Sequence, residues 1–280
     1  MRRIIAPLRA EVRLAVQPAA VLTVLLAVAA AVRAVVSYLD GVQHGPNGLD
    51  ASITALATPA GALQAAAWHH SSLLGLVFVA VLCGVVLAEG LESGTWPLVR
   101  LYQGRVWLLV LRKIVVVLLL AVLSMAVTAV ALWAAFKVGH SVEPPGGSRP
   151  EDVPTAVPSW GEALTTCARA LLVLTFFTAL AACGAAVARA VIAAAVLGAG
   201  PLVVTLPLVT TELRVWVPHY WIAAWMKLPE GAQWSLYWWS STPGAPDTGT
   251  ALTVLSTLSC CLLLVSWLSL RTERSLSPRA

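Results

Sequence analysis

Charge is what this chain has least of. Asp, Glu, Lys and Arg make up 11% of its 280 residues, against 59% hydrophobic residues. Mean hydropathy is +0.84. A water-soluble domain needs roughly a quarter of its residues charged to cover its surface, so the composition excludes one and specifies an integral membrane protein. Other absences narrow the chemistry. The sequence has no Gly-x-x-x-x-Gly-Lys-Ser/Thr phosphate-binding loop, so it brings no nucleotide hydrolysis of its own. It has no Cys-x-x-Cys and no Cys/His cluster, so no metal site is expected. Four of its five cysteines lie inside apolar runs and read as small packing hydrophobes. Its cations form no basic face with interleaved aromatics, which argues against nucleic acid. The carboxylates fall in loops, at span ends or in tails, and His44, His69, His70, His140 and His219 read as lying outside the spans. Proton-relay and serine-nucleophile chemistry both need such groups inside the membrane or beside a nucleophile. The expectation is therefore that the chain is not an enzyme.

What is present is a series of apolar runs near the 20 residues that a membrane-crossing helix needs. They predict one all-α transmembrane domain over 1–280 with six spans, at about 16–38, 71–88, 114–136, 170–188, 190–211 and 251–270. Residues 1–14 form an amphipathic segment, with Ile4, Leu8 and Val12 on one stripe and Arg2, Arg9 and Arg13 on another. Such a helix lies in the interface with its cations toward the headgroups, and Pro7 is expected to start or kink it. The first run continues past Arg33, which reads as a span rather than a cleaved leader. Arg33 is then the one ionisable residue well inside a span. Residues 40–70 and 137–162 are expected as polar loops. In the fifth span, Gly198, Gly200, Pro201 and Pro207 predict a kinked, closely packed helix; the same residues are candidates for lining a pathway. Residues 212–250 hold six of the twelve tryptophans. Trp221 and Trp225 share one helical face there, which predicts one or two short interfacial helices between spans five and six.

Orientation follows from the cations. With the amino terminus inside, inner segments hold twelve Lys and Arg and outer segments five, with Arg33 within a span. The positive-inside rule then places both termini, and the 89–113 segment between spans two and three, in the cytoplasm.

That segment is the most specific feature. It carries Glu89 and Glu92, then Ser93-Gly94-Thr95, then Arg100, Arg105, Arg112 and Lys113. Charge alone reads it as a basic inner loop. The order Glu, Gly-Thr, Arg, Lys between two apolar runs also resembles the type-2 ABC exporter permeases, the membrane subunits of ATP-binding-cassette exporters. Glu89, Gly94, Thr95, Arg105 and Lys113 fall at the matching places. The family often has a Pro just before the Arg, where this chain has Gln103-Gly104, and its Pro97 comes earlier.

The resemblance implies an amino-terminal elbow helix, a coupling helix in the 89–113 segment and short outer helices before span six. It implies a cytoplasmic ABC ATPase subunit that carries the ATP and Mg, and a second permease copy or a related permease. It further implies that Glu89 and Glu92 pair with ATPase cations, that Gly94 and Thr95 set the turn, and that Arg105 and Lys113 anchor the start of the third span at the headgroups, with Arg100 among the coupling residues. The expected function is export across the cell membrane of a lipid, peptide or drug-like substrate that no residue names. A gradient-driven secondary transporter and a purely structural membrane protein are the alternatives.

Overall fold

Backbone amides buried in hydrocarbon must be satisfied within their own segment, which leaves the helix as the form for long Ala-, Val- and Leu-rich runs. The computed structural model describes residues 2–43, 51–88, 92, 106–141, 158–205, 207–208, 211–227 and 247–272, and every regular element among them is helical. In chain order the helices are α1 (Arg2–Gln43), α2 (Ala51–Thr54), α3 (Pro59–His70), α4 (Leu73–Cys83, continued by a π-helical turn Gly84–Ala88), α5 (Val106–Ser141), α6 (Trp160–Ala188), α7 (Val191–Thr205), α8 (Pro218–Met226) and α9 (Thr248–Thr272).

Stretches of α1, α5, α6 and α9 are each long and apolar enough to cross a membrane. The pair α3–α4, bent by 65° at its break, makes a fifth candidate. The protein is thus a multi-pass membrane protein with four or five candidate spans among the described residues, where six were expected. The difference lies in α7, which has 15 residues and ends at Thr205, ahead of Pro207. Pro201 sits inside it.

Several expected boundaries move. Residues 2–14 are not a separate elbow: they belong to one helix with the first span, and Pro7 does not interrupt it. The expected 40–70 loop contains α3, which packs against α5 and α6. Its start is set by Thr58, whose hydroxyl accepts from Gly61 N at 3.2 Å, and by Pro59 in the first turn. The expected third span, 114–136, is longer at both ends, so Arg112 and Lys113 lie within α5. The expected fourth span, 170–188, begins ten residues earlier, at a capping box. There Ser159 N donates to Glu162 Oε2 at 2.8 Å and Glu162 N donates to Ser159 Oγ at 3.2 Å.

Helix α6 is the centre of the bundle. It packs against α3, α4, α5, α7, α8 and α9, while α1 leans chiefly on α5. Small residues permit the tightest contact. A Cβ on Gly198 would lie 2.9 Å from Ala181 Cα, and one on Gly184 would lie 2.9 Å from the Ala194 carbonyl oxygen. Helices α6 and α7 therefore touch backbone to backbone. Only Arg189 and Ala190 separate them, and Arg189 takes the left-handed conformation (φ 56°) that ends α6. The cysteines divide: Cys83 is buried, Cys167 and Cys183 are half-buried, and Cys260 and Cys261 are exposed.

Candidate functional site

Two places bring polar groups together. The first is at the end of the bundle where the 89–113 segment leaves and returns. Of the seven residues expected to couple there, Glu92 and Lys113 are described; Glu89, Gly94, Thr95, Arg100 and Arg105 lie outside the described residues. Lys113 Nζ, about two turns into α5, donates to the Val86 carbonyl at 2.5 Å. Val86 lies in the π-helical turn, a geometry that disturbs the regular i to i−4 ladder and recurs at functional sites. Exposed Glu92 accepts from Val191 N through Oε2 at 2.9 Å. Val191 is the first residue of α7, where backbone N–H groups lack partners within the helix. The π-helical turn and α7 also meet directly, since a Cβ on Gly84 would lie 2.8 Å from the Val191 carbonyl oxygen. The two ends of the segment thus fasten on two helices that touch each other.

The second place is the break between α3 and α4. His69, His70, Ser71 and Ser72 are each at most 2% exposed. This corrects the reading of His69 and His70 as loop residues outside the spans: they sit at the bend of a broken apolar helix. His70 Nδ1 donates to the Ala66 carbonyl at 2.9 Å, since a carbonyl can only accept. In the neutral ring Nε2 then accepts from the Ser124 hydroxyl of α5 at 3.0 Å. Ser71 Oγ donates to Ala67 O at 2.9 Å and reaches Met226 Sδ of α8 at 3.5 Å. Ser72 Oγ donates to His69 O at 2.6 Å, and Leu74 N donates to Ser72 Oγ at 3.3 Å. Arg33 of α1 lies within electrostatic reach of His69. Thr128, one turn beyond Ser124, is fully buried, and its hydroxyl has no hydrogen-bond partner among the described residues. The break is thereby tied to α5 and α8, with α1 alongside. Among the described residues no group of three His, Cys, Asp or Glu could hold a metal.

The other expected residues have separate surroundings. Gly198 is a packing contact, while a Cβ on Gly200 would meet no neighbouring helix within 4 Å. Trp221 Nε1 donates to Val215 O and Trp225 Nε1 to Arg169 O, each at 2.9 Å. The Arg169 guanidinium lies 6.0 Å from the Trp225 ring centroid. Trp221 and Trp225 thus both sit on the short helix α8, as their spacing suggested. His219, also on α8, is buried and donates from Nε2 to Leu202 O at 2.7 Å, joining α8 to α7. Arg9 and Arg13 lie on α1, their side chains outside the description.

What the sequence reading missed is the polar break. Its signal was present in Thr58-Pro59, a helix start, followed by an Ala-rich stretch to His69-His70. Comparison of the chain with protein-family models, with curated proteins and with solved structures finds no match.

Proposed function

We propose that this chain is the membrane permease subunit of an ATP-driven exporter resembling the type-2 ABC exporters, with 89–113 as the segment that receives the stroke of a separate cytoplasmic ATPase. The supporting observation is the Lys113–Val86 bond, which joins the segment's exit to the helix end from which it departs. A push on the segment then loads α4 and α5 together rather than a slack loop. ATP and Mg belong to the partner. Glu89 and Glu92 are the residues that pair with its cations. A second permease copy or a related chain completes the pathway. The cargo is a lipid, peptide or drug-like molecule, and the membrane is the cell membrane, with both termini cytoplasmic.

The test is purification of the tagged chain from its native membranes in mild detergent, with mass spectrometry of what accompanies it. An ATPase carrying a phosphate-binding loop, released by Glu89→Ala, is the expected result. A chain that comes out with no such ATPase overturns the reading.

A second reading, a gradient-driven transporter, draws on the buried His69–His70 pair beside Arg33 at a helix break, since ionisable groups and broken helices mark such pathways. Proteoliposomes holding the chain alone, loaded with a pH dye, separate the two. Proton movement coupled to cargo without nucleotide favours the second.

A further inference from the structure

Resting on the coupling reading above, we infer that Glu92 is a positioning residue that transmits displacement of the 89–113 segment directly to α7, alongside the load that Lys113 passes to α4 and α5. The geometry has three parts. The Glu92 carboxylate holds Val191 N–H at 2.9 Å, across 99 residues of chain. Val191 is the opening residue of α7, so the bond grips the helix at its end, where a sideways pull has the longest arm. The α4 turn bears on the same residue, with Gly84 so close to the Val191 carbonyl that a Cβ there would sit 2.8 Å away. Val191 is thus held on its N–H by the segment and on its C=O side by α4.

The chemistry suits a link under load. A carboxylate at a helix N-terminus faces the positive end of the helix dipole and an N–H that the helix itself cannot satisfy. A carboxylate has two oxygens. One holds Val191, and the side chain is exposed, so a cation of the ATPase can meet the other. Glu92 then bridges the driving subunit and α7 without an intervening helix. Helix α7 is short; its Ile192, Val196 and Val204 are 80%, 62% and 76% exposed, while Ala194 and Gly198 lie against the backbone of α6, so displacement of Val191 is passed on to the centre of the bundle.

Hydrogen exchange read residue by residue tests the link in two arms. The first uses the full chain alone in lipid nanodiscs. Glu92→Ala is expected to speed exchange of the Val191 amide about fivefold, the ratio for loss of an ordinary side-chain cap. Glu92→Gln, whose amide oxygen still accepts, stays within about twofold of the parent. Equal Val191 exchange in Glu92→Ala and the parent overturns the inference, whether or not any ATPase exists. The second arm uses the chain with its ATPase, with and without Mg-ATP. Nucleotide is expected to change exchange in the first turn of α7 in the parent and in Glu92→Gln but not in Glu92→Ala. A cap that only stabilised α7 would leave the nucleotide response of that turn in place in Glu92→Ala, and that outcome also overturns the inference. Failure to recover an ATPase sinks the coupling reading instead, and leaves the first arm to decide whether Glu92 holds α7.

Discussion

Placing the same methyl group at two glycines two residues apart on α7 should destabilise the protein at one of them and not at the other. At Gly198 the new Cβ would lie 2.9 Å from Ala181 Cα and 3.1 Å from Ala181 Cβ. Carbon atoms rest at about 3.5–4.0 Å. Neither Ala181 atom is the tip of a flexible side chain, so α6 and α7 must part by several tenths of an ångström. That also loosens the reciprocal contact, where Gly184 faces Ala194 O and Gly198 N. Overpacking of this kind costs about 1–3 kcal/mol. At Gly200 the same methyl meets no other helix within 4 Å; the ~0.5–1 kcal/mol that Ala gains over Gly in a helix is offset there by Pro201, whose ring crowds the Cβ of a helical residue before it. Gly198→Ala should therefore lie about 1–3 kcal/mol below Gly200→Ala, a ratio of at least about fivefold in the unfolding equilibrium. Unfolding in mixed micelles of increasing SDS fraction, followed by tryptophan fluorescence and far-ultraviolet circular dichroism, gives the two midpoints. Coincident midpoints, or a less stable Gly200→Ala, would refute the claim that α6 and α7 meet backbone to backbone at this level.

Ser124→Ala should cost about 1–3 kcal/mol by leaving His70 Nε2 buried without its donor. Its coupling to His70→Gln in a double-mutant cycle should exceed about 0.5 kcal/mol; strict additivity would mean that the bond is not made. Ser159→Ala should cost about 1 kcal/mol and fray the start of α6, with Ser159→Asp near the parent. The check is hydrogen exchange at Gly161–Ala163, which an idle cap would leave unchanged.

The helical class and the membrane setting were legible because apolar run length speaks directly to both, and α1 and α9 appear close to where those runs placed them. Boundaries were harder wherever polar residues join a helix. Ser159 and Glu162 spell a capping box, yet the fourth span was started at the first unbroken apolar residue, 170. The His69–His70 pair was assigned to a loop because two imidazoles side by side read as polar flank. Buried His70 is satisfied by Ser124, 54 residues away, and no local pattern carries that. Glu92 was legible as a residue of interest, but its contact with Val191 spans 99 residues and has no periodic trace. Gly198 and Gly200 belong to one small-residue run ahead of Pro201, and only the neighbour helix shows that Gly198 is the packing contact.

The two extremes of helix length set a condition on the surrounding bilayer. At 1.5 Å per residue, the 36 residues of α5 reach about 54 Å, while the 15 residues of α7 reach only about 22 Å. A hydrocarbon layer of about 30 Å is overshot by one and underfilled by the other. Lipid packed along α7 alone would have to shorten or tilt by roughly a quarter of the layer's depth, a mismatch that a bilayer meets by thinning on that flank. Thick, sterol-like bilayers would squeeze that flank and thin ones would relax it, which makes membrane thickness itself a mechanical input to the helix that Glu92 grips.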